Sequence, residues 1–229
     1  MSENIRLMFK RIAPKYDFMN NLLSLGIHHL WRKKAVCLAG VTLGDKVLDC
    51  ATGTGDLAIE FYKHTGPCGQ VVATDFCEDM IILAKEKFDI AGLKIECKVE
   101  DVMNLSFGTD SFGFSSISFG IRNVDSPKVG VGEMARVVRP GGKVIVIEFG
   151  QPLGLFKILY NIYSNTFIPL MGKLFAKDLD AYTYLPGTAA KFPCREDFIE
   201  IMTSTGAFSE CKYYTLSGGI AFIYIGIVR

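Results

Sequence analysis

The chain has 229 residues, 49% of them hydrophobic and 12% aromatic, which excludes a disordered chain and leaves too little length for two full α/β domains. Its 25 basic residues nearly balance 24 acidic ones, so the formal net charge of +1 provides no overall field for holding nucleic acid. We therefore expect one globular domain, residues 1–229, that has no nucleic acid as a partner.

The seven cysteines are widely spaced and include no Cys-x-x-Cys pair, and the chain has only three histidines. This pattern fits neither a zinc site nor a disulfide framework, so we predict no metal and expect reduced thiols that pack as small hydrophobes. Charged residues such as Glu3 and Arg6 interrupt the apolar N-terminus, which therefore lacks the apolar core of a secretory leader. The sequence predicts a cytoplasmic protein.

The first 36 residues have a helical pattern. Apolar residues recur on one face from Ile5 to Ile12, Pro14 interrupts them, and a second helical run follows over residues 16–35. Residues 1–36 are therefore predicted to form a helical extension in front of the core.

A short buried strand, a glycine turn and the start of a helix follow one another over residues 47–60. Gly53 and Gly55 carry no Cβ, so a ligand can approach peptide N–H groups that the helix N-terminus makes electropositive. The next strand ends in Asp75, about 20 residues beyond the loop, where a carboxylate can accept hydrogen bonds from both ribose hydroxyls. Together these features predict a site for a nucleoside cofactor.

The loop by itself does not identify that cofactor. Residues 53–58 also fit the Gly-x-Gly-x-x-Ala form of the dinucleotide fingerprint. However, Asp49 directly before the loop and the Pro140-Gly141-Gly142 turn resemble the class I S-adenosylmethionine methyltransferases. The resemblance favours S-adenosyl-L-methionine, and a nicotinamide or flavin nucleotide and a cofactor-free fold are the alternatives.

Strands and helices alternate along the rest of the core. We predict strands at 46–50, 71–74, 94–98, 114–119 and 143–148, and helices from 56, over 78–91 and over 127–138. This rhythm indicates βαβ units and a parallel sheet. A helix over 196–205 then precedes strands 211–215 and 220–228, an antiparallel pair joined through 217–219. The expected fold is a Rossmann-like α/β domain with a mostly parallel sheet and an antiparallel edge strand.

Polar residues follow several strands at the carboxyl edge of this sheet, where open α/β folds bind ligands. Asp101 comes after the third strand. Glu148 ends the fifth strand, where it could bind a ligand or merely cap nearby backbone N–H groups. The fourth strand contains Ser115, Ser116 and Ser118, which either face the cofactor or bond to the backbone.

Residues 151–180 are predicted to form a helical insertion. Between Leu153 and Ala176 only two residues are charged, which is close to the composition of a membrane span. Pro169 and a polar cluster at 161–166 make a span costly and favour two amphipathic helices instead. We expect a lid over an apolar ligand, with an ordinary core helix pair as the alternative.

Three further stretches narrow the resemblance. Residues 16–31 (YDFMNNLLSLGIHHLW), 118–124 (SFGIRNV) and 184–186 (YLP) with 191–193 (KFP) resemble motifs of the ubiquinone/menaquinone biosynthesis C-methyltransferase family. With the run from Arg136 to Glu148, the resemblance covers essentially the whole chain.

The resemblance implies methylation of a ring carbon of a prenylated quinol, such as demethylmenaquinol, with S-adenosyl-L-methionine as cofactor. It implies cofactor contacts by Thr54 in the loop, Asp75 at the ribose, Asp101 and Val102 at the adenine, and Ser118 after the fourth strand. Open alternatives are the benzoquinol precursor of ubiquinone, another small apolar substrate, and a non-catalytic cofactor-binding scaffold. Contact with a membrane surface and association between copies of the chain also stay open.

A quinol ring carbon becomes a good nucleophile when a neighbouring hydroxyl loses its proton. Arg122 is our candidate for holding the resulting oxyanion, and Asn123 for orienting a water that removes the proton. The alternative is an arginine paired with a surface carboxylate and an asparagine in a turn. Four residues of the N-terminal extension are weaker candidates: Tyr16, Asp17, His28 and His29. Residues 31–34 (WRKK) are expected to form a solvated helix face.

Overall fold

The computed structural model describes residues 3–154, 157, 160, 163–167 and 187–229. The helices are α1 (Glu3–Ile12), α2 (Tyr16–Ser24), α3 (Ile27–Ala39), α4 (Asp56–Thr65), α5 (Glu78–Ile90), α6 (Pro127–Arg136) and α7 (Glu196–Thr203). The strands are β1 (Lys46–Cys50), β2 (Gln70–Asp75), β3 (Glu96–Val99), β4 (Phe112–Ser118), β5 (Val138–Phe149), β6 (Phe208–Leu216) and β7 (Ala221–Val228). Short 3-10 turns cover Ala13–Lys15, Ile121–Asn123 and Ser217–Gly219, and a π-helical turn covers Tyr163–Phe167.

The seven strands form one sheet in the order β3-β2-β1-β4-β5-β7-β6. The first five in this order are parallel, as the alternation of strands and helices predicted. Only β7 runs in the opposite direction, because it pairs antiparallel with both β5 and β6. The antiparallel pair at one edge is therefore confirmed. Its second strand, β7, lies between β5 and β6, so β6 is the edge strand.

The sheet separates two apolar layers because successive strand residues point to opposite faces. In β5, Val144 and Val146 pack on one side and Ile145 and Ile147 on the other. Helices α6 and α7 cover the first side, whereas α3, α4 and α5 cover the second. The polar ends of the strands are left at the edge of the sheet, where ligands bind in such folds.

Two local predictions were wrong. The helical run over 16–35 is broken into α2 and α3, since Leu25 and Gly26 both adopt left-handed backbone angles, with φ of 49° and 75°. The Pro140-Gly141-Gly142 segment is not a turn between helix and strand, because β5 already begins at Val138. Instead, the pairing of β4 with β5 shifts register here, between Phe112 and Phe114.

Most of the predicted lid, 153–176, lies outside the described residues. Of the part that is described, Tyr160 and Tyr163 line a cavity, and the Tyr163 hydroxyl donates a hydrogen bond of 2.5 Å to the carbonyl of Leu23 in α2. No helix within the described ranges is both long and apolar enough to cross a membrane.

We predict that Gly55→Ala lowers the free energy of unfolding by about 2 to 4 kcal/mol, from left-handed strain and overpacking together. Gly55 has φ +86°, and a Cβ would lie 2.3 Å from the Phe88 ring of α5. Gly132 in α6 is the matched control, since a Cβ there meets nothing within 4 Å. Gly132→Ala should raise stability by about 0.5 to 1 kcal/mol through its higher helix propensity. Urea unfolding measures both, and wild-type stability in Gly55→Ala would contradict the argument.

Candidate active site

Two adjoining cavities lie at the carboxyl ends of the parallel strands, with volumes of about 50 Å³ and 420 Å³. They share a wall formed by Phe9, Tyr16, Ala51, Gly53, Ser118 and Phe119. Ala51 and Phe119 hold positive φ angles of 47° and 56°, a strained conformation for residues that carry a Cβ. Strain of this kind is common at functional sites, and no sequence pattern indicated it.

The smaller cavity gathers most of the residues predicted to bind the cofactor. Asp75, Asp101, Val102 and Ser118 line it, and so does Asn123, which we had assigned to the substrate. Thr54 and Arg122 line the larger cavity instead. The structure thus separates Arg122 from Asn123, although the two are neighbours in sequence.

Asp75 organises the glycine loop. Its buried carboxylate accepts hydrogen bonds of 2.9 Å from the N–H groups of Gly53 and Cys77. Burial raises the pKa of Asp75, and these N–H donors oppose the rise. The carboxylate therefore already fixes the backbone that borders the smaller cavity.

The two loop glycines have different roles. Gly53 faces both cavities, and a Cβ there would lie 3.6 Å from the Tyr16 ring, an ordinary contact distance. Gly55 lines neither cavity and is required by the approach of Phe88. Of the two glycines that we predicted to expose backbone to a ligand, only Gly53 borders the cavities.

Asp49 is buried directly before the loop and faces the larger cavity. It accepts hydrogen bonds of 2.6 Å from the hydroxyls of Ser116 and Thr52. Burial raises the pKa of Asp49 to about 6, although these donors favour the carboxylate. Of the three serines in β4, only Ser118 reaches the cavities, because Ser115 bonds to the carbonyl of Met134.

A charged network that the sequence did not reveal joins the N-terminal extension to the core. Lys87 of α5 contacts Asp17 at 2.5 Å and Asp56 at 2.9 Å, and Arg32 contacts Asp56 at 2.9 Å. The Thr54 hydroxyl donates to Asp17 at 2.5 Å. The network fixes α2 and α3 as a wall of the larger cavity, with the Thr54 side chain already engaged.

The predicted solvated face at 31–34 is only half correct. Trp31 and Arg32 are buried, and the Trp31 indole N–H donates to the Ser217 hydroxyl at 3.1 Å. Lys33 and Lys34 alone are exposed.

Arg122 is held by a buried carboxylate, not by a surface one as the alternative reading supposed. Its Nη1 lies 2.6 Å from Glu148 Oε1, and Glu148 is fully buried. Glu148 also accepts from the N–H groups of Arg122 and Phe149. Burial raises the pKa of Glu148, and Arg122 opposes that rise. Two nearby buried polar atoms, Arg122 Nε and Ser118 Oγ, have no hydrogen-bond partner in the described part of the chain.

Both histidines of the extension lie beside this site. His28 is buried, lines the larger cavity and bonds through Nδ1 to the Ser24 hydroxyl. Burial, Arg32 and His29 lower the pKa of His28 to about 4, so its imidazole is neutral at physiological pH. His28, His29 and Asp56 bring ligand atoms within 4.8 Å of one another, but two cationic side chains already occupy the Asp56 carboxylate.

These residues fit a nucleoside cofactor with a cationic centre. Asp75 and Asp101 offer carboxylates at the smaller cavity, the Ser118 hydroxyl there has no partner among the described residues, and Asp49 faces the adjoining space. Buried polar groups without partners are costly, and a bound ligand would satisfy them.

We predict that Asp49→Asn stabilises the cofactor-free protein at neutral pH. The folded protein holds the Asp49 proton more tightly than the unfolded chain, so the free energy of unfolding falls as the pH rises from about 4 to about 6. A shift of about two pKa units corresponds to about 3 kcal/mol, and asparagine has no such proton to lose.

Urea unfolding near pH 4 and near pH 7.5 measures the effect. The advantage of Asp49→Asn over wild type should be small at the lower pH and larger by about 3 kcal/mol at the higher one. Asp75 and Glu148 also titrate, but they are common to both proteins and cancel in the difference. An advantage independent of pH would contradict the assignment.

A model described as the ubiE/COQ5 methyltransferase family matches residues 1–228 of this chain. Two proteins named ubiquinone/menaquinone biosynthesis C-methyltransferase UbiE are similar over nearly their whole length. The one from Bdellovibrio bacteriovorus is 53% identical and covers 99% of this chain and 97% of its own. The one from Geotalea uraniireducens is 40% identical and covers 98% and 96%.

Solved structures show the same fold at low identity. A methyltransferase from Thermotoga maritima, described as S-adenosylmethionine-dependent, superposes with a TM-score of 0.67 at 18% identity, covering 97% of this chain and 98% of that one. Another from Aquifex aeolicus superposes at 0.63 and 18%, covering 93% and 98%. The predicted class I methyltransferase fold is confirmed.

A family match over nearly the whole chain and a relative at 53% identity agree with the glycine loop after β1, which the sequence predicts to be part of a cofactor site. The predictions of an enzyme, of methyl transfer and of S-adenosyl-L-methionine as cofactor are thereby confirmed at the level of the family. The chain belongs to the ubiE/COQ5 methyltransferase family.

Proposed function

We propose that this enzyme transfers a methyl group from S-adenosyl-L-methionine to a ring carbon of a prenylated quinol, and that the product is menaquinol made from demethylmenaquinol. The observation that carries the proposal is the larger cavity, which adjoins the smaller one at the glycine loop and combines apolar walls with a buried arginine. Leu23, Trp31, Phe149 and Tyr160 are among its lining residues. It also has two arginines, of which Arg32 pairs with Asp56 and Arg122 with the buried Glu148. The names of the relatives, which mention both quinones, support the quinone class.

The proposed cofactor contacts follow the lining of the smaller cavity. Asp75 accepts hydrogen bonds from the ribose, Asp101 and Val102 border the adenine, and Ser118 supplies its unpartnered hydroxyl. Thr54 is adjacent, but its hydroxyl donates to Asp17, so we assign its contribution to the loop backbone. When bound, the cofactor supplies an electrophilic methyl group on a positive sulfur.

The new bond uses an electron pair of the quinol ring to attach the methyl carbon, while the old carbon–sulfur pair stays on sulfur. The ring supplies that pair most readily after a neighbouring hydroxyl has lost its proton. Arg122 stays protonated and stabilises the oxyanion, and Glu148 holds the guanidinium in place. The ring carbon finally releases its own proton to water, which restores aromaticity.

A proton acceptor is needed for the hydroxyl. His28 lines the same cavity and is neutral at physiological pH. Because a pKa of about 4 makes its protonated form a strong acid, His28 would relay the hydroxyl proton to water and not hold it. Asn123 borders the cofactor side, where it orients water or cofactor. These two roles, with that of Arg122, form the proposed catalytic set.

The insertion after β5 is proposed as the lid over the prenyl tail. Tyr160 and Tyr163 already lie on the wall of the larger cavity, and Tyr163 is tied to α2 through Leu23. For the ring we propose a naphthoquinol, supported by the compactness of a 229-residue chain. Turnover of matched naphthoquinol and benzoquinol acceptors tests this choice, and preference for the benzoquinol would reverse it.

We predict that Arg122→Ala slows quinol methylation by at least about 100-fold, because a charge aimed at the oxyanion is lost. The same change leaves Glu148 buried without its cation, which destabilises the fold by about 3 to 5 kcal/mol. Turnover of this variant alone would therefore mix two effects.

The double variant Arg122→Met/Glu148→Gln separates them, since it removes both buried charges. Its free energy of unfolding should recover most of the loss, as urea unfolding measures, while its kcat stays at least about 100-fold below wild type. Calorimetry should show cofactor affinity close to wild type. Turnover within a few-fold of wild type in the double variant would show that Arg122 is structural only.

We predict that Asp75→Ala loses about 1 to 3 kcal/mol of cofactor binding, the cost of leaving ribose hydroxyls unpaired. Because Asp75 also holds Gly53, the binding of a deoxyribose analogue of the cofactor serves as control. Wild type should discriminate against the analogue, and the variant should not. Calorimetry on the two proteins with the two cofactors gives the coupling free energy between Asp75 and the ribose hydroxyl. Equal discrimination by both proteins would mean that Asp75 does not bind the ribose.

A further inference from the structure

The outer surface of α3 and the turn before it combine exposed leucine with exposed lysine. Leu25 is 82% exposed, Leu30 63% and Ile27 36%, and Lys33 and Lys34 are exposed beside them. We call these five residues the leucine face.

The helical spacing places these residues together. Ile27, Leu30 and Lys34 are separated by three and four positions, so they lie on one side of α3. The opposite side packs into the core through His28, Trp31, Arg32, Ala35, Val36 and Ala39. The leucine face is therefore the side of α3 that the described part of the fold leaves uncovered.

Leu25 has two energetically unfavourable features in the isolated protein. Its φ of 49° lies in the left-handed region, where glycine or asparagine is usual, and its large apolar side chain is turned to solvent. Backbone strain and exposure at one residue indicate a contact that compensates them.

The leucine face continues into the larger cavity. Leu25 and Ile27 line that cavity together with Leu23 and Ser24. A ligand that enters the cavity from this side would pass directly from whatever covers the leucine face.

The charge of the face selects the kind of partner. Lys33 and Lys34 are the charged residues of the leucine face, and the 13 residues of α3 include no acidic residue, whereas the whole chain is nearly neutral. Lys33 and Lys34 form no ion pair with any residue that the structure describes. Apolar residues flanked by basic ones fit the headgroup boundary of an anionic lipid bilayer.

We propose that the leucine face docks on the surface of an anionic lipid bilayer, with Leu25 and Leu30 inserted at the headgroup boundary and Lys33 and Lys34 on the lipid phosphates. The mouth of the larger cavity then faces the bilayer. The role of docking in substrate delivery rests on the proposed function, because it assumes a prenylated quinol. Docking itself requires no quinol.

The first experiment measures co-sedimentation of the full chain with vesicles that contain no quinol, made of phosphatidylcholine alone or with phosphatidylglycerol. Wild type should bind the anionic vesicles and lose binding as salt is raised. Lys33→Ser/Lys34→Ser should lower the partition onto anionic vesicles by about 10-fold and leave that onto neutral vesicles unchanged.

Leu25→Asn separates folding from docking. Asparagine suits the left-handed backbone, so the urea midpoint should equal or exceed that of wild type. The partition onto vesicles should nevertheless fall by at least about 10-fold, because the apolar side chain is gone. Ile90→Asn is the matched control, since Ile90 is 89% exposed on α5 and lines neither cavity; its binding should match wild type.

Three outcomes would overturn the proposal. They are absence of wild-type binding to anionic vesicles, undiminished binding by Leu25→Asn, and a wild-type dimer in sedimentation that Leu30→Ser converts to monomer, which would assign the face to a second copy of the chain. Turnover adds a separate test. Leu30→Ser should lose kcat/KM on a quinol embedded in vesicles and keep it on a soluble short-chain quinol. If neither quinol is methylated by wild type, the proposed function fails while the vesicle result still decides docking.

Discussion

Three buried carboxylates at one edge of the sheet determine the form of this site. Asp49, Asp75 and Glu148 lie at the ends of β1, β2 and β5, where burial disfavours the charged form unless donors are supplied. Asp75 takes its donors from backbone N–H groups, and Asp49 from two hydroxyls. Glu148 takes its donors from an arginine and the adjacent backbone. The loop conformation, the orientation of Ser116 and the position of Arg122 all follow from satisfying these carboxylates.

This requirement also divides the site into two parts with different chemistry. The smaller cavity is bordered by carboxylates and by the Ser118 hydroxyl, which no described residue partners, and this suits a polar nucleoside. The larger cavity has many aromatic and aliphatic wall residues. Of its two arginines, Arg32 is paired with Asp56 and Arg122 with the buried Glu148, which suits an apolar molecule with an oxyanion beside Arg122. The shared wall at Gly53 and Ser118 is the place where groups from the two cavities can meet.

The N-terminal extension forms a wall of the larger cavity because charges attach it to the core. Asp17 and Arg32 project from α2 and α3 toward Lys87 and Asp56, and these partly buried pairs are worth more than exposed ones. The extension leaves its own outer side uncovered, with leucines and lysines together. One segment thus supplies a cavity wall on one side and the proposed lipid contact on the other.

The sequence by itself determined the α/β fold, the glycine loop and the family, and it singled out four residues that line the smaller cavity, namely Asp75, Asp101, Val102 and Ser118. These depend on local signals, namely strand and helix periodicity, glycines at a turn, and carboxylates at strand ends, which parallel strands bring to the same edge. Only the tertiary structure decided which cavity each residue faces, as Arg122 and Asn123 show by lining different ones. It also decided the pairing of Arg122 with Glu148 and of Lys87 with Asp17, because such contacts join residues 26 and 70 positions apart. The split of α2 from α3 at Leu25 was missed because a left-handed leucine violates the local preference on which sequence reasoning depends.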